Sequence, residues 1–292
     1  MPLSFWDKRR KLSMFLVYNS DVLSENDFCL SANDRAFQYG DGLFETIRYE
    51  DHQVWFWPDH LDRLTDGMAA LQLNQPEPHF AETIFQHIQT LLSANQLTDQ
   101  SVRIKVQVWR QSGGLYTPAQ NSFNLLITTK PSSSFSISEK TAVGIFEDFR
   151  VLKSPVSSFK TINSLSYVLA GLYKQQHGFD EVILLDTNGN LGECLASNLF
   201  WFSRQTLFTP SLDTGCINGI LRRQLLRLAV QKGLTVQEGL FQPASLMQAE
   251  AVFCTNVMGI QWLNQVNGIR IETASSSDAF TLLNLLFAQL HG

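Results

Sequence analysis

The stretch Ser157-Ser-Phe-Lys160-Thr-Ile-Asn-Ser-Leu165 sets a lone lysine between a loop containing Pro155 and an apolar, helix-forming segment. A lysine becomes a nucleophile only when its amine can lose a proton, which requires partial burial or a cationic neighbour. Phe159, Ile162 and Leu165 offer such burial to Lys160. An isolated loop lysine is otherwise a solvated surface charge, so the reading depends on what accompanies Lys160 along the chain.

Downstream, Leu165, Val168, Leu169 and Leu172 fall at helical spacing on one face. Residues 182–185 and 199–202 read as strands connected through Thr187-Asn-Gly-Asn190, because Asn-Gly is a strong reverse-turn signal. Glu193 precedes a strongly apolar strand, where an unpaired carboxylate is costly. It is either matched by a cation or a turn residue facing water. Ile217-Asn-Gly-Ile220 opens a helix, with Asn218 as its cap and Ile220, Leu221, Leu225 and Leu228 as an apolar stripe that ends before Gly233. The N–H groups and dipole of a helix start at Gly219 suit a phosphate, though every helix has such a start. Phe253-Cys-Thr-Asn256 brings the hydroxyl of Thr255 and the amide of Asn256 to a strand end. These two groups either complete a phosphate cup or simply close the strand. A last helix is expected over 278–290.

Upstream, residues 15–18 read as a strand, and 43–49 with 54–57 as a hairpin about Glu50-Asp-His52. Pro58 starts a helix carrying Leu61, Leu64, Met68 and Leu71. Residues 80–92 form a second amphipathic helix, and 102–109 and 123–129 are strand-like. Gly40 and Gly42 let the backbone approach a ligand closely, or mark a plain loop-to-strand transition. The Ser-rich run from Lys130 to Lys140 is the best candidate for an interdomain linker. It divides the chain into a domain over 1–129 and another over 141–292.

Taken in order, five motifs resemble those of the class IV aminotransferases, the fold-type IV pyridoxal-5′-phosphate (PLP) enzymes. They are Tyr39-Gly-Asp-Gly-Leu-Phe-Glu-Thr-Ile-Arg48, His60-Leu-Asp-Arg-Leu64, Lys160-Thr-Ile-Asn-Ser-Leu165, Glu193 through Phe200, and Asn218-Gly-Ile-Leu-Arg222. The resemblance covers nearly all of the chain beyond about residue 14. It implies a two-domain α+β fold like that of D-amino-acid aminotransferase. In that fold 1–129 is a smaller α/β lobe and 141–292 a larger PLP-binding lobe with a barrel-like sheet and helices. It also implies a homodimer.

By the same resemblance Lys160 binds the cofactor aldehyde and carries the substrate's α-proton, while Glu193 pairs with the ring nitrogen. Arg63, Gly219, Ile220, Thr255 and Asn256 hold the phosphate, and Asn198 lies near the ring. Leu195 departs from the family pattern, which has a small residue there. Within the family the chain resembles the 4-amino-4-deoxychorismate lyases of folate biosynthesis more than the branched-chain or D-amino-acid transaminases. Leu165 stands where branched-chain enzymes place tyrosine, Thr46 where they place glycine, and Phe44 where D-amino-acid enzymes carry tyrosine. Against the lyase, Leu115 stands where those enzymes often have an arginine able to clamp a carboxylate. Arg48, Arg103, Lys105 or Arg110 are left to serve. Phe44, Thr46, Arg48 and Arg110 are thus the expected substrate residues.

The bulk composition agrees with an enzyme of this kind and excludes others. With 292 residues, 44% hydrophobic and 17% charged, the chain has material for a sizeable core. A net charge of -5, from 22 basic and 27 acidic residues in no long blocks, leaves no footprint for nucleic acid. Cys29, Cys194, Cys216 and Cys254 form no C-x-x-C pair, and the six histidines include no ligand pair. Neither a disulfide framework nor a metal centre is expected, and the thiols fit a reducing cytoplasm. No apolar run approaches a membrane span. The short run after Lys8-Arg-Arg-Lys11 lacks the features of a signal peptide.

Overall fold

A computed structural model describes residues 14–271, 281–285 and 288 of the chain. The first half supplies β1 (Phe15–Tyr18), β2 (Asp21–Ser24), α1 (Arg35–Tyr39), β3 (Gly42–Glu50), β4 (Gln53–Val54), α2 (Trp57–Ala70), α3 (Phe80–Ala94), β5 (Val102–Arg110) and β6 (Phe123–Pro131). Its strands form one antiparallel sheet in the order β2-β1-β6-β5-β3-β4. Alternation along β3 and β5 splits the side chains between two faces. Ile47, Ile104 and Val106 pack with Leu64, Met68, Ile84 and Ile88 of α2 and α3. Phe44, Thr46 and Lys105 lie on the other face, Thr46 and Lys105 as cross-strand partners. The expected hairpin is shorter than its apolar run suggests. Phe56 takes a left-handed backbone (φ 51°), and Trp57 and Pro58 already belong to α2.

The second half supplies β7 (Ser136–Lys140), β8 (Val143–Val151), α4 (Leu165–Gln176), β9 (Glu181–Asp186), β10 (Leu191–Cys194), β11 (Asn198–Ser203), β12 (Thr206–Pro210), α5 (Ile220–Gln231), β13 (Thr235–Gly239), β14 (Ala251–Asn256), β15 (Gly259–Leu263), β16 (Gln265–Val266) and β17 (Ile269–Arg270). These strands make two mixed sheets, β10-β9-β8-β16-β17 and β13-β12-β11-β14-β15-β7. The sheets share one core, in which Ile145, Ile183 and Leu191 meet Leu199, Trp201 and Val252. Helix α4 covers the outer face of the first sheet through Ala170 and Tyr173. Helix α5 covers the second through Leu221, Leu225 and Leu228. Strands β9, β10, β11 and β14 are therefore buried on both faces, which is why they read as largely hydrophobic runs. The expected barrel-like lobe is this pair of packed sheets with flanking helices.

Three local expectations change. The stretch 130–140, read as a linker, is strand at both ends, since β6 runs to Pro131 and β7 pairs in parallel with β15. Residues 132–135 make the crossing. Asn218 does not cap α5: Gly219 is the residue at the cap, with no side-chain hydrogen bond. The stripe Leu165, Val168, Leu169 and Leu172 does share a face, but that face is exposed. Residues 281–285 and 288 are helical, with Leu282 and Leu283 buried against the α5 cluster. The rest of the expected terminal helix and residues 1–13 lie outside the described residues. No helix of the described residues is long and apolar enough to cross a membrane. The described residues hold no His, Cys, Asp or Glu cluster suited to a metal.

Candidate functional site

A cavity of about 520 Å³ opens between the two halves, walled by Phe44, Thr46 and Arg103 on one side and by Lys160, Glu193 and Thr255 on the other. Lys160 reaches it because the loop before α4 is stitched to β3. The Phe44 N–H donates to the Lys160 carbonyl (2.8 Å), and the Ile162 N–H donates to the Gly42 carbonyl (2.9 Å). Gly40 permits this docking: its backbone is left-handed (φ +62°), and a Cβ there would press on Asn163. The Lys160 Nζ lies 4.9 Å from the centre of the Phe44 ring. Burial and the neighbouring Arg63 guanidinium push this amine below the usual lysine range, against the pull of Glu193 and Glu45. The shift favours the unprotonated, nucleophilic form of the amine.

Glu193 sits on β10 and is 3% exposed. Its Oε1 accepts from the Tyr167 hydroxyl at 2.7 Å and its Oε2 from the Ile217 N–H at 3.1 Å. Burial raises the pKa of this carboxyl, while these two donors and Lys160 oppose the rise. Arg63, 3% exposed on α2, is held by Glu45 through Nε (2.8 Å) and Nη2 (2.5 Å) and donates from Nη1 to the Asn218 carbonyl at 2.9 Å. Glu45 also accepts from His60 Nδ1 at 2.6 Å. Both partners pull the Glu45 carboxyl down to about 2 despite its complete burial. Burial keeps the His60 ring below its ordinary value, against the pull of Glu45.

Between Arg63 and the end of β14 lies a set of polar groups turned to the cavity. Thr255 is 1% exposed, and its hydroxyl has no protein partner. Ile220 heads α5, where the first N–H groups of a helix lack intrahelical acceptors. Gly219 contributes differently from expectation: its N–H turns back to the Ile217 carbonyl (3.0 Å). What makes it glycine is the Asn198 Oδ1, which fills the space a Cβ would need. Asn198 in turn donates to the Ile217 carbonyl at 2.7 Å, fixing the turn. Asn256 lines the cavity, but its amide is committed to the Ala196 carbonyl, the Ser197 hydroxyl and the Met258 N–H.

Two expected substrate residues are not at the cavity. Arg48 is fully buried and paired with Glu50 (2.7 Å), and it donates to the carbonyls of Val257, Ser133 and Met258. It shares a strand face with Phe44 and Thr46, yet β3 has by then passed beneath the turn at Val257 and Met258. Arg110 is spent on Asp41, Asn121 and the Leu71 carbonyl. Leu115 is 75% exposed on the loop after β5. The cations that do stand at the cleft side of the sheet are Arg103, which lines it, and Lys105, whose Nζ is 4.7 Å from the Phe44 ring. Desolvation, Arg103 and Lys130 push Lys105 below its usual value. Arg103, Lys105 and Lys130 make no ion pair among the described residues. Tyr167 escaped the sequence reading entirely. The available signal was a lone phenol on the first turn of α4, off the apolar stripe.

A helix N-terminus, an unpaired buried hydroxyl and a fixed arginine suit a phosphate. A desolvated lysine suits an aldehyde, and a buried carboxylate suits a protonated ring nitrogen. The residues present therefore fit PLP. In agreement, residues 42–262 match the family described as amino-transferase class IV. The chain belongs to the class IV aminotransferase family, whose cofactor is PLP.

Its relatives divide by reaction. A branched-chain-amino-acid aminotransferase of Escherichia coli (strain K12) is 27% identical over 274 residues, 89% of this chain and 87% of the relative. An aminodeoxychorismate lyase of Bacillus subtilis (strain 168) is 26% identical over 283 residues, 93% of each. The fold is shared with the branched-chain amino acid aminotransferase of Thermobaculum terrenum, solved in its PLP form. That match has a TM-score of 0.79 and 17% identity, over 95% of this chain and 94% of the other.

Proposed function

We propose that the cleft holds PLP and cleaves 4-amino-4-deoxychorismate into pyruvate and 4-aminobenzoate, a step of folate biosynthesis. When bound, PLP supplies a ring that accepts the electrons left when the carbon bearing the amino group loses its proton. Lys160 would hold the cofactor through its amine and would be the group placed to take that proton from the substrate. The departing enolpyruvate gains a proton in turn, so atoms balance without water or a keto acid, and aromatisation of the ring drives the cleavage. Glu193 faces the ring nitrogen. Arg63, Thr255 and the start of α5 at Gly219 and Ile220 receive the phosphate, with Asn198 and Asn256 holding the turns around it. Phe44 and Thr46 form the substrate wall.

The observation that carries the lyase reading is this wall. The Thr46 side chain stands in the cavity with Lys160, and its cross-strand partner Lys105 and the neighbouring Arg103 have no acidic partner among the described residues. A substrate with two carboxylates and a ring matches two free cations beside Phe44. Leu115, without a charge to offer a carboxylate, favours the alternative, a branched-chain or D-amino-acid transaminase. The exposed apolar residues Leu152, Leu165, Val168 and Leu172 support a homodimer, and the scattered thiols support a cytoplasmic setting.

One experiment separates the two reactions. The holoenzyme is given aminodeoxychorismate alone and, separately, L-leucine or D-alanine with 2-oxoglutarate. Pyruvate and 4-aminobenzoate released without keto acid are expected. Glutamate formation with no such release would overturn the lyase.

A further inference from the structure

Tyr167 closes on Glu193 from a separate helix. It rises from the first turn of α4, is half-buried, and lines the cavity. Its hydroxyl donates to the Glu193 Oε1 at 2.7 Å. A carboxylate has about four acceptor sites. Glu193 uses two, one for Tyr167 and one for the Ile217 N–H, and the remainder of its capacity is turned to the cavity it lines. The charged and titratable groups around Glu193 are Lys160, Arg222, Cys194, Cys216 and Tyr167 itself. Tyr167 makes the only side-chain hydrogen bond to it among the described residues.

We propose that Tyr167 is a positioning residue acting through Glu193: its phenol keeps the carboxylate anionic and oriented, and thereby keeps a proton on the ring nitrogen of bound PLP. The inference rests on the reading of Glu193 as the partner of that nitrogen. The physical reason is a competition. A carboxylate buried this deeply favours the neutral form unless donors stabilise its charge. When it faces a protonated ring nitrogen, a more basic carboxylate draws the shared proton toward itself and leaves a neutral pair. A donor on the far oxygen lowers that basicity and holds the charge-separated pair. Tyr167 serves this purpose without losing its own proton, because burial and Glu193 push its pKa far above the usual phenol range. Helix α4 thus reaches the cofactor's electronics from behind Glu193.

The test uses Tyr167→Phe, which removes one oxygen and leaves the ring that packs against the Phe146 cluster. Holoenzyme is reconstituted with PLP carrying ¹⁵N in the ring. In the variant the ¹⁵N resonance is expected to move toward that of neutral pyridine, and the pH midpoint of the visible absorbance band to shift by about one unit. In the Glu193→Gln background, adding Tyr167→Phe is expected to produce no further change in either signal, since the phenol has no carboxylate to act through. An unchanged resonance and midpoint in Tyr167→Phe, or an equal shift in both backgrounds, would overturn the proposal. Failure of the underlying reading looks different: Glu193→Gln alone would then leave the ¹⁵N resonance of bound PLP where it lies in the unsubstituted protein. A fall in thermal stability without change in the two spectroscopic signals marks a packing role, and counts against it.

Discussion

The two ends of the cleft are built on opposite principles. At the end where PLP belongs, Arg63, Glu193, Asn198 and Thr255 are each at most 5% exposed, and all but the Thr255 hydroxyl are tied by hydrogen bonds to strands or turns. At the substrate end, Phe44, Thr46 and Lys105 are half-buried, Arg103 is exposed, and neither cation is paired. Buried and mutually bonded groups have one geometry and strong fields, which suits a ligand that never leaves. Partly exposed side chains without fixed partners reorient more cheaply than buried, bonded ones, which suits a substrate that must enter and depart. Changes at the first end are therefore expected to damage every reaction of the enzyme, and changes at the second to alter which substrate is used.

The largest effect expected is at the cofactor end. Lys160→Ala should lower kcat on the order of 10⁴-fold or more, the scale of losing a positioned proton carrier. Mass spectrometry after borohydride should find no cofactor fixed to the variant protein. Retained fixation in that variant would remove the anchor on which the contrast between the ends is built.

Next in size is Glu45→Gln, which tests whether the rigid end depends on its buried ion pair. Leaving Arg63 buried beside a neutral amide should cost about 3–5 kcal/mol in denaturant unfolding. It should also weaken PLP binding in equilibrium dialysis. The pH dependence has a definite sign. The folded Glu45 carboxyl lies at about 2 against a usual value of 4.5. Its stabilisation is thus full above about 4.5 and is lost as pH falls from there toward about 2. Glu45→Gln should flatten that acid limb of the stability profile. An unchanged limb would show that Glu45 does not hold this end together.

At the substrate end, Arg103→Gln and Lys105→Gln should each raise KM for a dicarboxylate about 10-fold, with kcat and PLP affinity nearly constant. Added salt should raise KM in the parent enzyme and do so less in the variants. A fall in kcat equal to the rise in KM would place these cations with the chemistry and blur the contrast.

How far the sequence alone reveals each end follows from the same difference. Lys160, Glu193, Arg63 and the Asn218-Gly219 turn stand out in the sequence only through the joint order of their motifs, each being weak alone, and the fold brings Lys160, Glu193, Arg63 and Gly219 to one cavity. The substrate end is set by tertiary contacts. Arg48 has the correct strand parity to join Phe44 and Thr46, but Glu50, Ser133 and the return of the chain at Val257, 209 residues later, capture it. Arg110 offers a charge without any hint that Asp41 and Asn121 consume it. The helices show the same limit. In α5 the apolar stripe faces the core, so periodicity places it correctly. In α4 the apolar stripe faces outward, and the inward side carries Ala170, Tyr173 and Tyr167. Periodicity finds a face, but it does not say what covers that face.

The smallest effect expected is also the most discriminating. Thr46→Val keeps the β-branched shape, the strand preference and nearly the volume of Thr46, and removes only the hydroxyl that stands in the cavity. If that hydroxyl bonds the reacting substrate, kcat for pyruvate release should fall about 5-fold, the scale of a single neutral hydrogen bond near 1 kcal/mol. PLP affinity should stay as it was, because Thr46 lies on β3 across the cleft from the phosphate groups at Thr255 and α5. Turnover of a branched-chain amino acid, which has no polar side chain to meet the hydroxyl, should hold or rise. A uniform loss across both substrates would instead assign Thr46 to the rigid end. The boundary between the fixed and adaptable parts of the cleft would then run between Thr46 and Lys105, two residues that face each other across a single pair of strands.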